Sequence, residues 1–260
     1  MNKTALFPLL ASLLWISGCG GGDGTTKAGR QELFLYCGAG LRSPVQDLVA
    51  EFKEVHGLKV VTDYAGSETL LNRIELSRHG DLYMPGDKYY VSMAADKGVV
   101  AEQTSVCYFV PTILVRNGYE KTEINDLEDL LDKNVKLGIG GDACAIGRKT
   151  KKIFEKNGIS RKELEDNVSF HALTVNELGN HIETGSLDAV IVWDAVAALY
   201  PESGYTVEIP SEKNIISTVD VGLLSCSRSS ESARTFMEFA ASEQGKKIFA
   251  AHNYTVEKPR

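Results

Sequence analysis

The chain has 260 residues, 43% of them hydrophobic and 24% charged, and its 28 Lys and Arg against 35 Asp and Glu leave a net charge of −7. That balance fits a globular protein and argues against nucleic acid as a partner, since the phosphate backbone demands a basic surface. Five histidines and five cysteines show no H-E-x-x-H or C-x-x-C spacing, so neither a structural zinc site nor a resident cofactor is expected.

The first 18 residues have the layout of an export signal, with one positive charge at Lys3, an apolar run from Ala5 to Ile16, and small residues after it. The 12 residues of that run fall short of the roughly 20 that a helix needs to cross a bilayer, so it is not a lasting membrane span. Ile16-Ser17-Gly18-Cys19 resembles the lipobox of bacterial lipoproteins, which implies lipid attachment at Cys19, cleavage before it, and an extracytoplasmic, membrane-anchored product. Gly20 to Arg30 holds no large apolar residue and reads as a flexible tether, with a root-mean-square span of roughly 18 Å for such a length. Removal of residues 1 to 18 takes only Lys3 and shifts the charge from −7 to −8. An anionic ligand is still allowed, because the field inside a cleft decides binding and the surface sum does not.

From Gln31 onward a short apolar run, a glycine-rich turn and a helical pattern recur, which is the α/β signature. Leu33 to Tyr36 reads as a strand and Gly38-Ala39-Gly40 as its turn. The next helix is expected to have Ser43 as N-cap, Pro44 first, and Gln46 in the capping-box position. Val45, Leu48, Val49, Phe52 and Val55 form its inner face, and Gly57 stops it. Leu58 to Tyr64 is a strand, Ala65-Gly66-Ser67 a turn, and Glu68 to Leu76 a helix facing inward through Leu70, Leu71 and Ile74. The strand Leu82 to Met84 runs into Pro85-Gly86-Asp87. In the second half, Leu137 to Ile139 leads through the loop Gly140 to Ala145 into a helix ending near Gly158. Val168 to Leu173 precedes Thr174 as an N-cap, and Ala189 to Trp193 is a buried strand ahead of Asp194. The strand Val219 to Ser225 is followed by a helix capped at Ser229 or Ser230 that should return to the first lobe.

Strand ends thus meet helix starts repeatedly. In open α/β sheets ligands bind outside the carboxyl ends of the strands, where helix N-termini offer free N–H groups and positive partial charge. Converging helix starts would bind an anion without any lysine, each contributing about 0.3 to 1 kcal/mol when exposed. Gly141 to Thr150 does not meet the P-loop pattern, since five residues separate Gly141 from Gly147 and Arg148 precedes Lys149-Thr150. Of the mature cysteines, Cys37 follows the first strand and Cys144 lies in the loop after Ile139, and Cys37, Cys107, Cys144 and Cys226 allow disulfides in an oxidising compartment.

The series Gly38-Ala39-Gly40-Leu41-Arg42, Tyr64-Ala65-Gly66-Ser67-Glu68-Thr69-Leu70 and Gly80 to Asp87 resembles the periplasmic molybdate-binding family of ABC importers, and Ser242-Glu243-Gln244-Gly245 is similar to solute-binding proteins more widely. The resemblance covers nearly the whole mature chain and implies a type II periplasmic-binding-protein fold of two α/β lobes joined by crossing strands. The first would be residues 31 to 110 plus 217 to 260, and the second 111 to 216. It also implies a monomer that passes molybdate or tungstate to a membrane permease and has no catalytic role.

Carried over by position, the oxyanion-contacting places fall on Gly40, Ser67, Ala145, Val175 and Trp193, with Leu41, Gly66 and Ile146 in the same turns. Gly40 stands where the family has a serine, and Trp193 where it has a tyrosine and can only donate. Arg42 and Arg148 lie close by and would suit a larger organic phosphate or carboxylate. Glu68, Asp142 and Asp194 are expected as helix-start carboxylates facing water, or as the acceptor that hydrogen phosphate would need. Two other classes stay open. One is an enzyme using Cys37 or Cys144 as nucleophile, which would need a neighbouring base or a depressed thiol pKa. The other is a tethered sensor or adhesin on the same lobes.

Overall fold

The computed structural model describes residues 32–119 and 123–259. The export signal, Cys19 and the tether lie outside these. The chain opens with β1 (Glu32–Gly38), a 3-10 turn (Ala39–Leu41) and α1 (Arg42–His56), then β2 (Lys59–Ala65), α2 (Ser67–Ser77), β3 (Leu82–Met84) and α3 (Lys88–Asp96). It continues through β4 (Val100–Phe109), β5 (Pro111–Arg116), β6 (Leu137–Gly140), α4 (Ala145–Lys156), α5 (Arg161–Glu165) and β7 (Val168–Ala172). After α6 (Val175–Glu183), β8 (Ala189–Trp193), α7 (Asp194–Ala197) and β9 (Gly204–Glu208), it closes with β10 (Ser217–Leu224), α8 (Ser230–Ala241) and α9 (Glu243–Ala251).

These strands form two five-stranded sheets, ordered β2-β1-β3-β10-β4 and β7-β6-β8-β5-β9. In the first, β1 pairs in parallel with β2 and β3, while β10 runs antiparallel to β3 and β4. In the second, β6 is parallel to β7 and β8, and β5 is antiparallel to β8 and β9. Helices cover each sheet, giving the two-lobed α/β architecture expected of the sequence. The chain leaves the first sheet at Val110, between β4 and β5, and returns before β10.

The apolar periods account for most elements. Leu48, Phe52, Leu70, Leu71 and Ile74 are buried as their spacing requires, and α8 packs back on α1 through Phe236 edge-on to Phe52 at 5.1 Å. Gly57 ends α1 in the left-handed conformation at φ 68°, which costs glycine nothing. Two expectations are corrected and one element is added. Helix α1 begins at Arg42, not after a Ser43 cap, because the 3-10 turn runs straight into it and places Pro44 inside the first turn. Val55, in the last turn, is 54% exposed, since the core beneath α1 ends at Phe52. Helix α3 was not anticipated: its apolar pattern is short, and its start is set by the Asp87 carboxylate accepting from Tyr89 N–H at 2.9 Å.

Candidate functional site

The carboxyl ends of β1, β2, β3, β6, β7 and β8 all point into the space between the lobes, and their turns line a narrow cleft there. Its lining comes from Gly38, Ala39 and Gly40 after β1; Ala65, Gly66 and Ser67 after β2; Gly86 after β3; Cys144, Ala145 and Ile146 at the start of α4; Thr174 and Val175 at the start of α6; and Phe109 and Trp193. The expected contact positions Gly40, Ser67, Ala145, Val175 and Trp193 are therefore brought together, with Gly66 and Ile146 among them.

Leu41, Arg42 and Arg148 are not in this lining. Leu41 is fully buried under α1. The Arg42 guanidinium sits 4.2 Å over the Tyr64 ring, and that of Arg148 sits 3.2 Å over Tyr89. Stacking on an aromatic face gives each arginine a partner outside the cavity. Sequence reasoning did not assign Gly38, Ala39, Ala65, Gly86, Phe109 and Thr174 to the site. The signal for Gly86 was present in Pro85-Gly86-Asp87, but Phe109 enters only because β4 ends at the crossing.

The donors are prepared before any ligand arrives. Ser67 is buried, and its Oγ accepts from Gly86 N–H at 3.2 Å, which leaves the hydroxyl proton to be donated. Tyr83 Oη, in turn, donates to Ser67 O at 2.7 Å. Trp193 is buried and stacked on Phe109 at 4.7 Å and 6°, so the indole cannot swing. Its Cδ1–Nε1 edge faces Gly40 and Gly86: a Cβ built on Gly40 would lie 3.3 Å from Cδ1, and one on Gly86 3.8 Å from Nε1. A Cβ at Gly40 would also come within 2.8 Å of Val175 Cγ1. A side chain at residue 40, such as the serine that the resemblance implies there, would therefore crowd Val175 and Trp193, whereas glycine leaves room for the tryptophan. Tyr254 Oη donates to Gly40 O and so holds that turn from the C-terminal segment.

Thr174 Oγ1 caps α6 by accepting from Glu177 N–H, as expected. Starts of α2, α4 and α6, with the 3-10 turn into α1, direct their N–H groups and positive partial charge toward the cavity. No carboxylate, lysine or arginine lines it.

The three neighbouring carboxylates take different places. Asp142 is exposed and paired with the buried Lys151 at 2.7 Å, which holds its carboxyl below the usual range. Glu68 donates its backbone N–H to Ala143 O at 3.1 Å, a hydrogen bond across the cleft. Asp194 departs from the expected water-facing position. It is largely buried at the crossing, where it accepts from Val110 N–H and Thr255 Oγ, both at 3.3 Å, and burial pushes its pKa up. A raised carboxyl pKa means that the folded form holds the proton more tightly, so Asp194's contribution is intact below the unfolded value near 3.9 and is lost as pH rises through its folded value. Asp194→Asn should therefore gain stability relative to wild type on going from pH 4 to pH 7, as read by urea denaturation at both values. An equal difference at the two pH values would contradict this role.

The four cysteines among the described residues, Cys37, Cys107, Cys144 and Cys226, are free thiols. Burial pushes Cys37 up strongly and Cys144 up to about 11, against the opposing N–H groups of Ile146 and Gly147. That is the reverse of what a nucleophilic cysteine needs.

A two-lobed fold with a donor-lined site at the cleft is the arrangement expected of a solute-binding protein. The chain belongs to the bacterial extracellular solute-binding protein family, whose model matches residues 33–255. A Haemophilus influenzae protein described as a binding protein is 31% identical over 232 residues, covering 86% of this chain and 90% of that one. The molybdate-binding protein ModA of Escherichia coli is 30% identical over 81 residues, 31% of this chain and 32% of its own. Among solved structures, the sulfate-binding protein SubI of Mycobacterium tuberculosis superposes with a TM-score of 0.76 at 15% identity, covering 88% of each chain. The relatives and neighbours named are all binding proteins, and the family is one of extracellular solute-binding proteins.

Proposed function

We propose that the chain is the lipid-anchored, extracytoplasmic binding component of an ABC importer, and that it captures a small, fully deprotonated tetrahedral oxyanion, molybdate or tungstate, for delivery to a permease. The observation that carries this reading is the chemistry of the cavity: hydroxyl, indole and backbone N–H donors from both lobes surround it, and no ionised side chain lines it. A dianion with four acceptor oxygens is satisfied by donors alone. Hydrogen phosphate brings a proton of its own and needs an acceptor, yet Glu68, Asp142 and Asp194 all lie outside the lining. Placing Arg42 and Arg148 away from the cavity also removes the cations that a larger organic phosphate would use.

Sulfate is the second reading. It is fully deprotonated at neutral pH, and the SubI likeness of fold favours it. Size separates the two, because molybdate is the larger anion and a donor shell fitted to one holds the other less well. Anchoring at Cys19 follows from the Ser17-Gly18-Cys19 junction and the glycine-rich tether.

Ser67 supplies the direct test. Ser67→Ala removes one hydroxyl donor to a charged ligand, an interaction worth about 1.5 to 3 kcal/mol, so molybdate affinity should fall roughly 10- to 150-fold by titration calorimetry while the fold persists. Unchanged affinity would remove Ser67 from the site.

A further inference from the structure

Outside the cavity, contacts between the lobes concentrate at the start of α3. Asp87 Oδ2 lies 3.0 Å from Lys149 Nζ on α4, and the two side chains are only 7% and 8% exposed. Tyr89 receives the Arg148 guanidinium on its ring face, and Tyr90 Oη donates to Asp142 O at 3.3 Å. Three residues of the first lobe therefore engage three of the second within one patch. Asp87 is held in place by Tyr89 N–H on Oδ1 at 2.9 Å and by Ser217 Oγ on Oδ2 at 3.2 Å. Both ends of the ion pair are joined to the cavity. Asp87 follows Gly86, whose N–H holds the Ser67 hydroxyl, and Lys149 lies one helical turn after Ala145.

We propose that the Asp87–Lys149 pair, backed by Arg148 on Tyr89, is a closure latch, with Lys149 a positioning residue that sets how long the lobes stay shut on their ligand. A buried ion pair gains little over an apolar contact, but removing one partner leaves a buried, unpaired charge, which is far more costly. Here that cost has an escape short of unfolding, because separation of the lobes returns the remaining charge to water. Loss of one partner therefore opens the protein, and neutralising both removes the drive to open. The effect on ligand release rests on the binding function proposed above, whereas the effect on lobe closure does not.

The test compares wild type with Lys149→Met, Asp87→Asn and the double variant. Asparagine keeps the N-cap of α3 while removing the charge. Small-angle X-ray scattering of the ligand-free protein reads opening. Stopped-flow fluorescence of Trp193, the single tryptophan beyond residue 18, reads sodium molybdate release. Each single variant should show a larger radius of gyration and release about tenfold faster or more, with the double variant returning toward wild type and urea midpoints little changed. A wild-type radius and release rate in Lys149→Met would overturn the latch. An enlarged radius in variants that, like wild type, ignore molybdate would support the latch and count against the ligand.

Discussion

Gly66→Val is expected to abolish oxyanion binding in a protein that stays folded. The backbone at Gly66, φ −63° and ψ 147°, is open to any residue, so the substitution strains nothing within its own lobe. A Cβ there would lie 2.8 Å from Leu173 O and 3.1 Å from Ala143 O, both backbone atoms of the opposite lobe. Neither carbonyl can turn aside, so the lobes must stay apart. Glu68 N–H then loses Ala143 O, and the donors of α4 and α6 no longer reach an anion held by Ser67. Affinity for molybdate should fall by about 100-fold or more, equivalent to roughly 2.7 kcal/mol. The thermal midpoint of the ligand-free protein should move little, since valine in place of glycine at an N-cap costs about 1 kcal/mol at most. Affinity within threefold of wild type would show that the enclosed arrangement is not the binding form.

Gly147→Ala carries the second large effect, and two opposed terms decide it. In an ordinary helix interior, alanine gains about 1 kcal/mol over glycine. At Gly147 the added methyl would overlap Gly140 O and C, the backbone of the strand on which α4 rests. Overpacking costs about 1 to 3 kcal/mol where side chains can shift, and more where the obstacle is backbone. The steric term wins, so urea denaturation should show a net loss of about 2 kcal/mol or more. Displacement of α4 also carries Ala145, Ile146 and Lys149 away from the cavity and the latch, and molybdate binding should weaken with it. Unchanged or increased stability would mean that α4 does not rest so closely on β6.

Much of this architecture was legible in the residues. The buried strands Leu82–Met84 and Ala189–Trp193 were readable because their apolar runs are bounded by turn residues, and the cap at Thr174 because a strand run ends just before it. Positions carried over from the molybdate-binding resemblance fall around the cavity because each lies where a strand end becomes a helix start, a feature of topology that survives large changes of sequence. Less readable were features that depend on the other lobe. Arg148 stands close in sequence to the contact positions Ala145 and Ile146, but helix α4 turns it toward Tyr89, a residue far away in the chain. Asp194 looked like one more helix-start carboxylate, and only the return of Thr255 to the crossing makes it internal. The need for glycine at residue 40 is likewise invisible until Val175 and Trp193 stand opposite it.

The most direct test of the central claim is a thermal-shift series on the purified protein with molybdate, tungstate, sulfate, phosphate, and small organic phosphates and carboxylates. A ligand present at a thousand times its Kd adds about 4 kcal/mol to stability, a shift readily resolved. A large stabilisation by molybdate and tungstate, with none from phosphate or the organic anions, is the result predicted by a donor-only cavity. Stabilisation by phosphate or a sugar phosphate, with molybdate and tungstate silent, would contradict it.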